Sequence, residues 1–299
     1  MKLFSFSSSL SFLFLAATLL PSVTVQAQKQ DKSAETAKKR LYLKKITRLG
    51  PQKSGVLSIQ DAANRLPKKI FSKGGKPIVF SGDAFADASV NVFTVHNGGK
   101  LYLVDAGFGS PRGELNSLLE KLEVKREKVC GVLLTHVHPD HIGGLLTPEG
   151  EKAFPNAKIF LSKKEFVWAC SEKSPMFRAF EKVRKAYGEK IVPFAAGEKV
   201  EGLFLSRLAP GHTPGHTVYE YGNILFIGDL LHAAELQFAD PETCASFDMD
   251  KPLAVRTRKE ILSYGAKKGL LLAGAHIRFP GTGRVRPAEN GFSFEPAKE

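Results

Sequence analysis

The most concentrated group of potential metal ligands lies in residues 135–141 (THVHPDH), directly after the apolar run of residues 129–134. Imidazole nitrogens and carboxylate oxygens are the ligands that zinc and similar divalent ions take in proteins. A loop that follows a buried strand holds such ligands on a rigid base. Three histidines and one aspartate within six residues therefore predict a metal site rather than ordinary surface or core side chains.

Three later segments each supply a further potential ligand after an apolar run. Residues 210–217 (PGHTPGHT) hold a histidine on a tight turn, residues 226–229 (FIGD) end in a carboxylate, and residues 273–276 (AGAH) end in an imidazole. A carboxylate at the end of an apolar strand is costly unless it is paired or bound. The predicted ligands are His136, His138, Asp140, His141, His212, Asp229 and His276.

The spacing of apolar residues indicates the elements that carry these ligands. Period-two and continuous apolar runs predict strands at residues 90–96, 101–104, 129–134, 157–161, 203–208, 218–221, 224–227 and 270–275. Helical spacing of leucines predicts a helix over residues 115–122. Ser174 as a cap with Pro175 in the first turn predicts a helix over residues 174–186, and a third helix is expected near residues 251–264. A run of strands followed by alternating strand and helix, twice over, predicts two sheets packed face to face with helices outside.

The positive charge is concentrated ahead of the ligand motifs. The formal net charge is +13, but residues 28–80 hold 14 Lys and Arg against 3 Asp and Glu, whereas residues 81–299 hold 28 against 27. The basic segment could contact nucleic acid, anionic lipid or lipopolysaccharide, or it is a solvated lead-in with no partner. We expect no nucleic-acid partner for the nearly neutral remainder.

The first 27 residues have the pattern of a secretory signal peptide. Lys2 precedes an apolar run over residues 10–20 (LSFLFLAATLL), and Val25-Gln26-Ala27 is a small-x-small cleavage signature. The run is shorter than the roughly 20 apolar residues that span a bilayer, and an uncleaved anchor is the alternative. We therefore expect a periplasmic or secreted protein with no transmembrane segment in the mature chain.

Taken in order, HxHxDH, a later GH, FxGD and a final AH resemble the metallo-β-lactamase superfamily over about residues 90–283. Similarity is closer to its methyl-parathion-hydrolase-like and lactonase-like branch, at residues 228–238 (GDLLHAAELQF), 247–248 (FD) and 275–281 (AHIRFPG). The resemblance implies an α/β fold, the αβ/βα four-layer sandwich, with a two-metal site at one edge. It divides the chain into a signal peptide (1–27), a basic N-terminal extension (28–80) and a hydrolase domain (81–299).

The resemblance also implies a role for each ligand. One ion is held by His136, His138 and His212, the other by Asp140, His141 and His276, and Asp229 bridges them. Two divalent ions, expected to be zinc, would lower the pKa of a shared water to near neutrality. Asp140 is the expected catalytic base, because a carboxylate bound through one oxygen keeps the other free to take a proton.

Five further residues are predicted to support the site or line its pocket. The resemblance gives Asp105 (in LVDAG, residues 103–107) the role of holding the ligand loop. His216 either orients His212 or caps a surface loop. His232 stands where lactonases of the superfamily place a tyrosine, and it contacts either a leaving group or its own loop. Trp168 and Phe279 are either pocket aromatics or core residues.

The expected function is metal-dependent hydrolysis of an ester-like bond in a small molecule: a phosphotriester, lactone or carboxylic ester. The alternatives are a β-lactam hydrolase, which usually lacks the bridging Asp, and a glyoxalase-II-like thioesterase, whose C-terminal helical region has no counterpart after about residue 283. An iron oxygenase, using only a His/His/Asp subset, and a non-catalytic protein that binds envelope polyanions are further alternatives. A homodimer is compatible with the sequence.

Overall fold

The computed structural model describes residues 45–49, 55–79 and 82–297. The expected signal peptide lies outside the described residues, as does most of the basic segment before residue 45. Within the described part of the chain, no helix combines the length and apolar character needed to cross a membrane.

The described residues form seventeen strands and six α-helices, joined by short 3₁₀ turns. The strands are β1 (Ile46–Leu49), β2 (Val56–Pro67), β3 (Phe71–Lys73), β4 (Lys76–Pro77), β5 (Phe85–Asn97), β6 (Lys100–Val104), β7 (Val129–Leu133), β8 (Lys158–Ser162), β9 (Ile191–Phe194), β10 (Lys199–Val200), β11 (Phe204–Leu208), β12 (Thr217–Tyr221), β13 (Ile224–Gly228), β14 (Cys244–Ala245), β15 (Leu271–Gly274), β16 (Thr282–Ala288) and β17 (Gly291–Pro296). The helices are α1 (Leu115–Lys121), α2 (Pro139–Ile142), α3 (Lys163–Ala169), α4 (Phe177–Tyr187), α5 (Ala234–Gln237) and α6 (Lys251–Lys268).

Two seven-stranded sheets form the centre of the fold. Their strand orders are β1-β2-β5-β6-β7-β8-β9 and β10-β11-β12-β13-β15-β16-β17, and β14-β3-β4 form a small third sheet. Strands β6 to β9 run parallel, as do β13 and β15, whereas the other neighbours in the two large sheets are antiparallel. The continuous apolar runs of β7 and β13 fit strands whose two faces are both covered.

The inner faces of the two sheets share one apolar core. Phe93 of the first sheet packs against Phe226 of the second, with ring centroids 5.4 Å apart, and Tyr102, Leu133 and Tyr219 belong to the same buried cluster. Burying such side chains stabilises the fold by about 1.5–3 kcal/mol each. This shared core joins the sheets face to face.

The outer faces carry helices. Leu225 and Leu272 of the second sheet pack against Ile261 and Leu262 of α6. Helix α6 begins where the Asp250 side chain accepts a hydrogen bond from the backbone amide of Leu253, and it ends at a left-handed glycine. Helix α1 buries Leu115, Leu118 and Leu119 of the predicted leucine stripe. Helix α4 buries Phe180 and begins at Phe177, so Ser174 is not its cap. The predicted αβ/βα four-layer sandwich is confirmed.

The first sheet also uses strands from the segment that the sequence assigns to the extension. Strand β2 pairs along its length with β5, from Val56 opposite Val95 to Pro67 opposite Phe85. Apolar alternation does not give the bounds of β2, because this strand buries the polar side chains of Ser58 and Asp61. The first sheet therefore begins ahead of residue 81.

Candidate metal centre

The predicted ligands follow the carboxyl ends of strands in both sheets. The loop of residues 135–141 follows β7, Asp229 follows β13, and His276 comes two residues after β15. Because β13 and β15 are parallel neighbours, their ends meet at one edge of the second sheet. His212 reaches the same edge from the loop between β11 and β12. The structure thus brings all seven predicted ligands into one cluster, in which His138 and Asp140 are half-buried and the other five are buried.

Three imidazoles form the first part of this cluster, which we call the three-histidine group: His136, His138 and His212. Nδ1 of His138 lies 2.9 Å from Nε2 of His136 and 2.9 Å from Nε2 of His212. The two Nε2 atoms are 3.2 Å apart. The three nitrogens therefore point at one another around a common centre.

The second part, which we call the mixed group, consists of Asp140, His141 and His276. Nε2 of His276 is 3.3 Å from Oδ2 of Asp140, and Nε2 of His141 is 3.9 Å from Oδ1 of Asp140. The ligand atoms of this group all lie within 4.8 Å of one another. It contains an oxygen donor, which the three-histidine group lacks.

Asp229 lies between the two groups and reaches both. Its Oδ2 is 3.4 Å from Nε2 of His212 and 3.1 Å from Nε2 of His276. Its Oδ1 is 3.0 Å from Nε2 of His141. One carboxylate with an oxygen toward each group is the arrangement that a bridging ligand requires.

Hydrogen bonds at the far ring nitrogen orient three of the imidazoles. Nδ1 of His141 is 2.9 Å from Oδ2 of Asp105, and the other oxygen of that carboxylate accepts from the backbone amide of Thr135. Nδ1 of His276 is 2.9 Å from the carbonyl oxygen of Ser89. Contacts of this kind fix the tautomer and leave Nε2 facing the cluster. Asp105 occupies the supporting position that the resemblance implies.

The far nitrogen of His212 is held by a buried ion pair. Its Nδ1 lies 3.1 Å from Oδ1 of Asp248, whose Oδ2 is 3.2 Å from the guanidinium of Arg258. Burial would raise the pKa of Asp248, but His212, His232 and Arg258 outweigh it and lower that pKa. Asp248 belongs to one of the segments that carry the resemblance (residues 247–248) but has no predicted role, and no local pattern in the sequence indicates Arg258, which lies inside helix α6.

His216 supports Asp229 rather than His212. Its Nε2 accepts a hydrogen bond from the backbone amide of Asp229 at 3.0 Å, and its Nδ1 donates to the carbonyl oxygen of Ala209. Gly228 has φ +49, and a Cβ there would lie 2.7 Å from Nε2 of His216. Only glycine fits this close approach. His216 is buried, so it is not a surface cap.

The remaining predicted residues lie at different distances from the cluster. His232 adjoins it, with Nε2 3.3 Å from Oδ2 of Asp229. Trp168 lines an apolar groove of about 510 Å³ with Val167, Phe194 and Pro214, and none of the seven ligands lines that groove. Phe279 is half-buried, and its backbone amide donates to Oγ of Ser89. Of His232, Trp168 and Phe279, His232 is the residue whose side chain contacts a predicted ligand.

The two groups differ in their electrostatics. Burial lowers the pKa of His136 far below its ordinary value, with a further contribution from His141, and burial beside His212 lowers that of His138 to about 3. Burial acts the same way on His141 and His276, but Asp229 and its neighbouring carboxylates outweigh it. They raise the pKa of His141 well above its ordinary value and that of His276 to about 10.

The donor set fits a pair of divalent ions. Nitrogens held 2.0–2.1 Å from a tetrahedral zinc ion lie roughly 3.3 Å apart, close to the spacing in the three-histidine group. His141 Nε2 and Asp229 Oδ1 lie 3.0 Å apart but are not aligned for a hydrogen bond with each other, and among the described residues neither of these buried atoms has another hydrogen-bond partner. Buried polar atoms without partners are costly, and a bound cation would satisfy both.

The family follows from comparison with known proteins. The sequence profile of the metallo-beta-lactamase superfamily matches residues 86–276, which include all seven ligands. The chain belongs to this superfamily. Its fold and its His/Asp cluster agree with that membership.

Two solved structures of superfamily members are similar over most of the chain. AbOPH, a hydrolase in the beta-lactamase superfamily, is 27% identical with a TM-score of 0.74. AidC, a dizinc quorum-quenching lactonase in complex with a product, is 25% identical with a TM-score of 0.76. Each alignment covers 85% of this chain and 98% of the other. Together with the cluster geometry, they favour two divalent ions in this protein.

Curated relatives match a shorter part of the chain. The hydroxyacylglutathione hydrolase of Vibrio parahaemolyticus is 30% identical over 125 residues, which is 41% of each protein. That of Dechloromonas aromatica is 29% identical over 154 residues, 50% of this chain and 46% of the relative. The chain thus spans less than half the length of these relatives.

One residue that contacts both ligand loops was not predicted. Glu165 on α3 is buried, and its carboxylate accepts hydrogen bonds from Val137, Thr213 and Gly215. Burial raises its pKa to about 7, although these three donors work against the rise. In the sequence it follows two lysines and resembles an ordinary solvent-facing helix residue, so no local signal reveals it.

Proposed function

We propose that this protein is a dinuclear metal-dependent hydrolase of ester-like bonds, acting on a phosphotriester, lactone or carboxylic ester. The position of Asp229 carries this proposal, because its two oxygens face the three-histidine and mixed groups at 3.0–3.4 Å. The likeness to a dizinc lactonase and to the hydrolase AbOPH supports it. The methyl-parathion-hydrolase-like branch is the part of the superfamily to which we assign the chain.

Two divalent ions, which we propose to be zinc, would lower the pKa of a water molecule to near neutrality and polarise a carbonyl or phosphoryl oxygen. The side chains of the three-histidine group would hold one ion and those of the mixed group the other, with Asp229 shared. His136 and His138 are neutral at neutral pH because burial lowers their pKa values. Their nitrogen lone pairs are therefore available without the loss of a proton.

Asp140 is the proposed proton acceptor. Its side chain is 19% exposed, whereas that of Asp229 is 3% exposed, so Asp140 is the more accessible carboxylate to substrate and solvent. Burial works against its ionisation, but His141 and His276 outweigh burial and lower its pKa. An ionised carboxylate oxygen at the edge of the cluster can take the proton released when the substrate is attacked.

His232 is the proposed substrate contact. Its Nε2 lies 3.3 Å from Oδ2 of Asp229, but within the described part of the chain Nδ1 of this buried side chain has no hydrogen-bond partner. A buried ring nitrogen without a partner is costly unless a ligand completes it. The ring lies 5.3 Å from that of Phe247, which is 42% exposed. An imidazole donor beside an exposed aromatic ring suits a leaving group that has an apolar part and an oxygen.

A thioesterase is the second candidate function. The curated relatives named hydroxyacylglutathione hydrolases favour it, although they match over less than half of their length. A thioester places a sulfur at the leaving-group position, where an ester or phosphotriester places an oxygen. Comparing an ester with its matching thioester therefore separates the two functions.

The location of the enzyme is a separate proposal. A signal pattern over residues 1–27 supports export to the periplasm or beyond the cell, with the basic segment after it available for anionic surfaces. Cell fractionation and sequencing of the mature N-terminus test export. Sedimentation of the purified protein tests the homodimer.

Metal analysis combined with a substrate panel tests the proposed function. We expect about two divalent ions per chain and the highest kcat/KM on a phosphotriester, an acyl lactone or an aryl ester. A β-lactam and a thioester complete the panel. Fastest turnover of the thioester would replace the proposal with the second candidate. One iron per chain with oxygen consumption and no hydrolysis would contradict both.

A further inference from the structure

Glu165 links the two loops that carry the three-histidine group without touching any of its imidazoles. Its Oε1 accepts from the backbone amide of Val137 at 3.1 Å. Its Oε2 accepts from Oγ1 of Thr213 at 2.8 Å and from the backbone amide of Gly215 at 3.0 Å. Val137 lies between His136 and His138, and Thr213 follows His212 directly. Each of the three histidines is therefore next in sequence to a residue that Glu165 binds.

The surroundings of Glu165 bring the second of these loops against α3. Oγ of Ser162 accepts from the backbone amide of Glu165 at 3.2 Å and donates to the carbonyl oxygen of Gly215 at 2.7 Å. A Cβ at position 215 would collide with the backbone of Glu165. The loop after His212 thus rests directly on the first turn of α3. A displacement of either partner would move the other.

The chemistry of the contacts favours a carboxylate at this position. Burying a charged group is expensive unless hydrogen bonds compensate, and an apolar side chain would avoid that cost. A carboxylate, however, has two acceptor oxygens and can satisfy three donors from two loops at once. A glutamine has one acceptor oxygen, and its amide group would face the donors at Thr213 and Gly215. The arrangement therefore serves the loops more than the stability of the core.

We propose that Glu165 is a positioning residue that holds the two ligand loops at the spacing which the three-histidine group needs to bind its metal ion. This inference rests on the proposed dinuclear function, but it concerns metal affinity at one group and not the substrate. It predicts a selective effect. Loss of the Glu165 carboxylate should lower the affinity of the three-histidine group for its ion and leave the affinity of the mixed group unchanged.

Zinc titration of metal-free protein, with a chromophoric chelator as competitor, tests the inference. In the otherwise unchanged chain, Glu165→Gln should lower the affinity for one of the two zinc ions by ~10–100-fold. This is the size of loss seen when partners that orient metal ligands are removed. The same weakening should occur in a His276→Ala background, where the three-histidine group is left intact. In a His212→Ala background, where the mixed group is left intact, Glu165→Gln should leave zinc affinity unchanged.

Asp61→Asn is the matched control. Asp61 is also a buried carboxylate, and it accepts from the backbone amides of Phe108 and Leu115 at 2.8 and 2.7 Å. It holds a different loop, so Asp61→Asn should destabilise the fold without weakening the three-histidine group. Thr213→Val, which removes one donor and keeps the carboxylate, should show the Glu165→Gln effect at smaller size, and it serves if Glu165→Gln does not fold.

The outcomes distinguish this inference from the proposed function. If the unaltered chain binds two zinc ions and hydrolyses an ester while Glu165→Gln and Thr213→Val leave both affinities unchanged, only the positioning role is wrong. Equal weakening in the His276→Ala and His212→Ala backgrounds would also overturn it, because general destabilisation would then explain the loss. A chain that binds no zinc would contradict the proposed function together with the inference.

Discussion

The three-histidine group and the mixed group share Asp229 but are built and supported differently. The three-histidine group offers only nitrogens, and long-range contacts through Glu165 and through Asp248 with Arg258 support it. The mixed group includes a carboxylate, and Asp105 and a backbone carbonyl hold its histidines. One group is thus braced by side chains from the surrounding helices and loops, and the other by the strands themselves.

This difference has a consequence for metal binding. The pKa values of His136 and His138 are lowered by burial, whereas carboxylates raise the pKa values of His141 and His276 against the effect of burial. The lowered pKa values favour the neutral, metal-binding form of the first pair, whereas the raised pKa values of the second pair mean that a metal ion must compete with protons there. Metal binding at the three-histidine group therefore depends on the contacts that hold its loops in position. Metal binding at the mixed group depends on the balance between its carboxylates and imidazoles.

Asp229→Asn should have the largest effect, because it removes the carboxylate that both groups share. The substitution keeps the side-chain volume but removes one negative charge between two cations. We expect kcat/KM to fall by at least ~10²-fold, since a direct ligand should exceed the 10–100-fold loss seen for the partners of ligands. Metal content should drop below two ions per chain. Steady-state kinetics and metal analysis measure both.

Asp87→Asn is a suitable control for that experiment. Asp87 is an exposed carboxylate paired with Arg65 at 3.2 Å, and such pairs contribute little to stability. Its replacement should leave metal content and turnover unchanged. Two retained ions and full turnover in Asp229→Asn would show that the carboxylate is not shared, and the contrast between the groups would lose its common element.

Asp248→Asn should weaken the three-histidine group selectively. It removes the charge that holds Nδ1 of His212 and leaves the buried guanidinium of Arg258 without its counter-ion. We expect zinc affinity at this group to fall by ~10–100-fold and the free energy of unfolding to decrease as well. Zinc titration in the His276→Ala background measures the first effect. An unchanged affinity there would mean that Asp248 supports the fold alone.

Asp105→Asn is the corresponding change for the mixed group. Its carboxylate contacts Nδ1 of His141 and the backbone amide of Thr135, so the asparagine would keep part of the hydrogen bonding but lose the charge. We expect a fall of about tenfold in zinc affinity, at the low end of the range for such partners. The titration uses the His212→Ala background. A larger loss of zinc affinity in the His276→Ala background would mean that Asp105 supports the three-histidine group and not the mixed group.

The seven ligands could be predicted because each belongs to a local pattern. Residues 135–141 gather four of them, while Asp229 and His276 directly end apolar runs that match strands β13 and β15. Parallel neighbours bring such ends to one edge of a sheet, so local patterns were enough to anticipate the cluster. The two central sheets were predictable for the same reason.

The supporting residues could not be predicted because their partners are distant in sequence. Glu165 contacts residues 28, 48 and 50 positions away, and it lies on the seven-residue helix α3, which the apolar spacing did not reveal. The sequence suggested one or two strands within residues 28–80 but not the bounds of β2, because this strand buries the polar side chains of Ser58 and Asp61, and Trp168 lines a separate groove. Such contacts exist only once the sheets and helices have packed.

The smallest predicted effect concerns the pH dependence of stability, and it tests whether Glu165 is a buried carboxylate without a counter-charge. Burial raises its folded-state pKa to about 7 from 4.5, so its contribution to stability is present below pH 4.5 and is lost as pH rises through 7. Glu165→Gln cannot ionise. Between pH 6 and pH 8, metal-free unaltered protein should therefore lose about 1 kcal/mol of unfolding free energy relative to Glu165→Gln. Urea unfolding measures the difference, and all shared titrating groups cancel between the two proteins. Glu181→Gln is the control, because Arg184 lowers the pKa of this exposed carboxylate and keeps it ionised throughout that range. A difference that stays flat for Glu165→Gln would mean that its three donors fully stabilise the charge, and the three-histidine group would then be supported by charge as strongly as the mixed group.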